Sequence, residues 1–192
     1  MRRDLIAVGA SWGGLRAVGD VLAGLPEDFG PPVVVAQHRS RDSVPGALTA
    51  ALARRTPLPV REPDDKEPIE GGCVYVAPPD YHLLVELGHF ELTVDEPVTF
   101  SRPSIDVLLE SVADSYAERA VGVVLTGASS DGAAGLLRLR RAGGLTIVQD
   151  PGEAERSEMP QAAVDAGAAV HVCPLAEVSR MLVETCSSVR AA

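Results

Sequence analysis

A chain of 192 residues with 46% hydrophobic residues is long enough to bury a substantial core, and its 18 glycines and 15 prolines fit a globular protein rich in turns. Lys and Arg number 17 against 27 Asp and Glu, a formal net charge of −10 with no basic run to offset it. That balance excludes a sequence-independent nucleic-acid surface and an anionic membrane surface as the expected partner.

Cys73, Cys173 and Cys186 are odd in number and widely spaced, which reads as reduced thiols and not as a disulfide frame or a zinc site. "MRRDLIAVGA" has the charged front of a signal peptide, but Asp4 and the glycines interrupt its apolar stretch. No run reaches the ~20 apolar residues of a membrane span. The expectation is one domain over residues 1–192, cytoplasmic, with no membrane insertion.

In chain order, "LIAVGA" (5–10), "PVVVAQH" (32–38), "AVGVVLTG" (120–127), "LTIVQD" (145–150) and "AAVHVC" (168–173) read as strands buried on both faces. Helical spacing runs over 14–24, 44–55, 104–117, 132–142, 160–166 and 174–186, and Ser104 with Asp106 close behind marks one helix start. The alternation predicts an α/β fold, a doubly wound and mainly parallel sheet with helices on both faces. "CVYVAPPDYHLLVELGHFELTV" (73–94) alternates with period two about Leu87-Gly88-His89 and predicts an antiparallel hairpin. The charged, Pro- and Gly-punctuated "REPDDKEPIEGG" (61–72) before it reads as an exposed connection.

Ser11 lies where the first strand ends and the first helix begins, the place where open α/β sheets bind ligands. A dinucleotide loop laid on Gly9 and Gly14 requires glycine at position 11, and the next strand ends in Gln37 and His38 without the acid that would hold a ribose. No G-K-[ST] follows, so a P-loop fails as well. Gly9-Ala10-Ser11-Trp12-Gly13 does satisfy G-x-S-x-G, a sharp strand-to-helix turn that exposes a serine. The plainer alternative is a serine that only caps the following helix.

A nucleophilic serine needs a base. Of the four histidines, His82 and His89 fall in the hairpin and His171 lies inside the last strand, where a structural imidazole is expected. His38 alone ends a strand, and that strand is expected beside the one carrying Ser11. The carboxylate that would orient it has two candidates at strand ends, Asp131 and Asp150. Residue chemistry leaves both open, with Asp150 also suited to a turn before Pro151.

"VGASWGG" with Ser11, "VVVAQH" with His38 and "VVLTGASSDGAAGL" with Asp131 resemble, in order, three motifs of the CheB-type protein-glutamate methylesterase domain of bacterial chemotaxis. "VYVAPPDYHLLV" and "RPSIDVLLESVA" resemble further blocks of that family, and the likeness runs over roughly residues 4–186. The resemblance implies Ser11 as nucleophile, His38 as base and Asp131, in preference to Asp150, as orienter through the histidine's Nδ1–H. It implies backbone N–H groups near Trp12 and Ala128 as the oxyanion hole. It also implies hydrolysis of glutamyl γ-methyl esters on receptor cytoplasmic helices, glutamine deamidation, and no metal or organic cofactor. The chain order Ser, His, Asp differs from that of α/β-hydrolases.

The chain departs from the family pattern in three ways. Leu125-Thr126-Gly127-Ala128-Ser129-Ser130-Asp131-Gly132 stands where family members commonly read L-T-G-M-G-x-D-G. Trp12 replaces a usual small residue and is expected to narrow the cleft. The sequence opens on the first catalytic strand, so the receiver domain that typical chemotaxis members carry is not expected in it. A binding module that has lost catalysis, and a hydrolase acting on a non-receptor ester, are the two rival readings.

Overall fold

The structure, a computed structural model, describes residues 3–44 and 46–186. The first two residues of the signal-like start, Pro45 within the expected 44–55 helix, and both ends of the expected 1–192 domain lie outside the described residues. The elements in chain order are β1 (Leu5–Ala10), α1 (Gly14–Ala23), β2 (Val33–Gln37), α2 (Ala47–Ala53), β3 (Val60–Arg61), β4 (Val74–Val76), β5 (His82–Glu86) and β6 (His89–Thr93). There follow α3 (Ile105–Tyr116), a 3-10 turn (Ala117–Arg119), β7 (Ala120–Val124), α4 (Ala133–Arg141), β8 (Leu145–Gln149), α5 (Glu158–Asp165), β9 (His171–Cys173) and α6 (Leu175–Cys186). Among the described residues, seven strands form one parallel sheet in the order β3-β4-β2-β1-β7-β8-β9, and β5 pairs antiparallel with β6 as a separate ribbon.

Residues alternate between the two faces of a strand, and here each face has its own core. Ile6 and Val8 of β1 pack with Val18, Val21 and Leu22 of α1, Leu52 of α2, and Val178 and Leu182 of α6. Leu5 and Ala7 face the other way, toward Leu109 and Val112 of α3, Leu136 of α4, Met159 of α5 and Phe90 of the hairpin. The doubly wound α/β sheet expected from the alternating pattern is therefore observed, with β1 and β2 buried along their whole length. Among the described residues no helix is long and apolar enough to cross a membrane.

Three expectations need correction. The hairpin does not begin at Cys73. Val74–Val76 is β4, paired parallel with β2 as Val33↔Val74 through Val35↔Val76. Its period-two pattern arises because Val74 and Val76 enter one core and Tyr75 the other, and Pro78-Pro79 separates it from the true hairpin. The stretch 61–72 is not wholly connection, because Arg61 completes the edge strand β3. The last strand covers only His171–Cys173, and His171 and Val172 are exposed on it. Among the described residues β9 has a neighbour on one side alone, and the exposed His171 is a surface residue and not a packed structural imidazole. Elsewhere the boundaries shift by a few residues, with β7 ending at Val124 and leaving 125–127 in a loop.

Candidate active site

From β1 the chain crosses through α1 to β2 on one side, and from β7 through α4 to β8 on the other. The carboxyl ends of β1 and β7 thus flank the topological switch point, where such sheets form their ligand crevice. Ser11 follows β1, His38 follows β2, and the loop after β7 leads to Asp131. These three side chains meet. Ser11 Oγ is 3.1 Å from His38 Nδ1, and His38 Nε2 is 2.7 Å from Asp131 Oδ2. The ring is turned the other way from the expected Nδ1–H pairing. A carboxylate only accepts, so Nε2–H donates to Asp131, and the Nδ1 lone pair is left facing the Ser11 hydroxyl.

Asp131 is fully buried and held by the start of α3. Oδ2 accepts the Ile105 amide (2.7 Å), while Oδ1 accepts the Asp106 amide (2.9 Å) and the Ser104 hydroxyl (2.9 Å). Burial raises its carboxyl, but the His38 bond and the Ile105 and Asp106 amides outweigh that and leave it below the usual carboxylate range. Ser104 is the N-cap its sequence context suggested, accepting the Val107 amide. Behind it, buried His82 accepts the Ser104 amide at Nδ1 (3.2 Å) and donates from Nε2 to Glu96 O (3.2 Å). Asp150, the rival acid, is elsewhere. Its Oδ1 accepts the Gly152 amide (2.8 Å) in the turn after β8.

The serine turn is built by close packing. Gly13 has φ 76, a left-handed conformation that side chains disfavour, and a Cβ on Gly9 would sit 2.2 Å from Ile105 Cγ2. Gln37, the last residue of β2, donates from Nε2 to Ser11 O (2.7 Å) and His38 O (3.1 Å), tying the two strand exits together. Because the peptide is planar and trans, fixing Ser11 O also aims the N–H of Trp12. Among the described residues the amides of Trp12 and Ala128 donate to no protein acceptor. The Trp12 side chain leans over the β8–α5 loop, with Nε1 on Glu155 Oε1 (3.1 Å) and the Arg156 guanidinium 5.5 Å from its ring centre.

Sequence reading missed four contributors. In the sequence Gln37 stands only where a ribose-holding acid is missing, and Asp106 only as a first-turn acid. Ser101 carried no signal, yet its Oγ lies 3.4 Å from His38 Nδ1. Arg39 donates to Ala77 O (2.5 Å) and Glu62 Oε1 (2.7 Å), anchoring the chain just beyond His38. A hydroxyl, an imidazole and a buried carboxylate in one hydrogen-bonded line can activate the hydroxyl as a nucleophile.

Comparisons with known proteins bear on the family and the fold. Residues 6–182 match the family model described as CheB methylesterase. A Leptospira interrogans protein, named provisionally as a protein-glutamate methylesterase/protein-glutamine glutaminase, is 41% identical over 184 residues, covering 95% of each chain. Proteins with that double name from Mesorhizobium japonicum and Hahella chejuensis are 42% and 45% identical over 96% and 91% of this chain. The chain spans about half the length of those two, 54% and 49%. The crystal structure of the Thermotoga maritima CheB methylesterase catalytic domain superimposes with a TM-score of 0.88 at 30% identity, over 96% of this chain and 99% of that one. With motifs, fold and near full-length identity in agreement, the chain belongs to the CheB methylesterase family.

Proposed function

We propose that this protein is a serine esterase that hydrolyses the γ-methyl ester of glutamate in a methylated protein, releasing glutamate and methanol. Its substrate is the cytoplasmic part of a methylated chemoreceptor, and glutamine at such a position is deamidated by the same route. The observation that carries the reading is the line Ser11 Oγ to His38 to Asp131 at the switch point of the sheet. Residues 1–192 act as one catalytic domain in the cytoplasm.

Ser11 is the nucleophile. As Oγ attacks the ester carbonyl carbon, His38 Nδ1 takes its proton and Asp131 stabilises the imidazolium through Nε2–H. The tetrahedral oxyanion faces the amides of Trp12 and Ala128. Collapse breaks the bond to the methoxy oxygen, which leaves as methanol with the proton from His38. Water then gives a proton to Nδ1 as its oxygen attacks the acyl carbon, and Ser11 leaves with that proton, freeing glutamate. For glutamine the leaving group is ammonia. No step calls on a metal or organic cofactor.

The test is methanol release from a methylated receptor fragment by the wild-type protein and by Ser11→Ala. The variant is expected to lose on the order of 10⁴–10⁶ in kcat with an unchanged fold. Turnover of an activated aryl ester without methanol release would assign a different ester substrate, and neither activity would leave a binding module.

A further inference from the structure

Aromatic residues are scarce in this chain, with one Trp, three Tyr and three Phe, yet two of them stand in solvent beside the site. Phe100 is completely exposed, and it precedes Ser101, whose hydroxyl contacts His38. Trp12 is 59% exposed and follows Ser11 directly. Both are held in place. Val98 and Ser101 exchange backbone hydrogen bonds of 3.2 and 2.9 Å, closing a two-residue turn on Thr99 and Phe100. These central residues have φ 50 and 63. A turn with both central residues left-handed suits Asn-Gly, so a β-branched residue and an aromatic adopt it against their preference. Arg102 locks the base of this loop, donating to Val94 O (2.7 Å), Asp95 O (2.9 Å) and Asp80 Oδ1 (2.6 Å). The half-exposed Tyr81 lies next to Asp80, and exposed Val94 is in the same clasp. Trp12 is braced by Glu155 and Arg156.

We propose that Phe100, together with the Trp12 indole, forms an apolar rim that docks the segment of the substrate protein flanking the esterified glutamate. This rests on the esterase reading above. A strained backbone that persists while displaying an apolar ring indicates a use for the ring outside the fold. The occupant follows from position and charge. A glutamyl carbonyl carbon is three bonds from its Cα, so a glutamate ester in contact with Ser11 brings its own backbone against the residues bordering Ser11 and His38. The net charge of −10 supplies no long-range attraction for a glutamate-bearing segment, and the exposed rings beside the site are surface that such a segment would bury on contact. Aromatic anchors supply that surface with few rotatable bonds.

The experiment compares kcat/KM on a methylated receptor fragment with kcat/KM on p-nitrophenyl acetate, for wild type, Phe100→Ala and Phe100→Tyr. The ratio of the two is expected to fall at least about tenfold in Phe100→Ala, through KM for the protein substrate, and to return within about threefold of wild type in Phe100→Tyr. Because the ring touches solvent alone, melting temperatures should match and exclude misfolding as the cause. Methanol release by wild type with an unchanged ratio in Phe100→Ala overturns the docking proposal and leaves the esterase reading intact. No methanol release by wild type overturns both. A dimer in sedimentation velocity that Phe100→Ala dissociates, with the ratio unchanged, assigns the rim to a second copy of the chain and overturns the proposal as well.

Discussion

Asp106 and Asp131 cap each other's helices. Asp131, just before α4, accepts the amides of Ile105 and Asp106 that begin α3. Asp106 Oδ1, in the first turn of α3, accepts the amides of Gly132 (2.9 Å) and Gly135 (2.7 Å) that begin α4. Helix starts leave such amides without intrahelical partners, and a carboxylate satisfies them while favouring the positive end of the helix dipole. The exchange fixes the acid facing His38 from two directions and places two carboxyl groups together. Burial, with the Asp131 charge adding to it, pushes the Asp106 carboxyl up to about 6 against the pull of the two glycine amides.

The first prediction follows from that pair. A carboxyl whose folded value lies above its ordinary 3.8 contributes most to stability below that value. The contribution is lost as pH rises to about 6. Asp131, held below its ordinary value, works in reverse and loses its contribution as pH falls beneath that value. Asp106→Asn keeps an oxygen for Gly132 and Gly135 but does not titrate. Its melting temperature should therefore gain on wild type between pH 4 and 6.5. A difference that stays constant across that range contradicts the assignment.

The second concerns Gln37, which holds the peptide joining Ser11 to Trp12. Gln37→Leu removes the donor to Ser11 O and His38 O while keeping a side chain of similar volume. In the proposed mechanism the Trp12 amide is an oxyanion donor; losing such a donor outright costs ~10²–10³ in kcat, and in this variant it would be misaimed but present. kcat on an aryl ester should fall about tenfold to a hundredfold with KM changed little. An equal loss confined to KM would mean that Gln37 acts on binding.

The third concerns Gly127. A Cβ there would lie 1.9 Å from Met159 Sδ and 2.8 Å from Ser11 Cβ. Methionine can swing aside, but Ser11 Cβ is fixed to the backbone of the sharp turn. Gly127→Ala should displace the Ser11 hydroxyl and reduce kcat about a hundredfold, the usual consequence of an ~1 Å misplacement of a reacting group. Steady-state kinetics of the folded variant would check it, and a near wild-type rate would mean that the loop yields instead of the serine.

The elements around Ser11 were legible in the sequence because a parallel strand buried on both faces leaves a continuous apolar run. β1, β2, β7 and β8 all carry one. β4 was misread because Val74-Tyr75-Val76 alternates in bulk between two covered faces, which resembles a one-sided hairpin strand. Two-residue β3 is too short for any period to show. At the site, Ser11 and His38 stand directly at strand ends, where a sequence pattern marks them. Asp106 and Gln37 act through the geometry between elements distant in the chain, and no local pattern carries that. The ring orientation of His38 was likewise out of reach, since it depends on which nitrogen the α3-held carboxylate meets.

The last prediction separates Asp131 from Asp150, which the residues alone left open. Asp131 gathers four donors, the Ile105 and Asp106 amides, the Ser104 hydroxyl and His38 Nε2–H. An amide offers one oxygen, so Asp131→Asn turns an NH₂ toward some of those donors. Two donors then face each other in a fully buried place, which costs about 1–3 kcal/mol in stability. If the NH₂ meets His38, the ring takes the other tautomer, with its proton on Nδ1 and no lone pair toward Ser11. The corresponding change in a serine protease costs ~10⁴ in kcat. Asp131→Asn should lower kcat at least about a hundredfold and also lower the melting temperature. Asp150→Asn should stay within a few-fold of wild type, because an Asn oxygen can still accept the Gly152 amide in the turn after β8. Both are read by aryl-ester kinetics at one pH alongside thermal melts. A collapse in the Asp150 variant with the Asp131 variant active would place the orienting acid just after β8 and void the line drawn from Ser11 through His38.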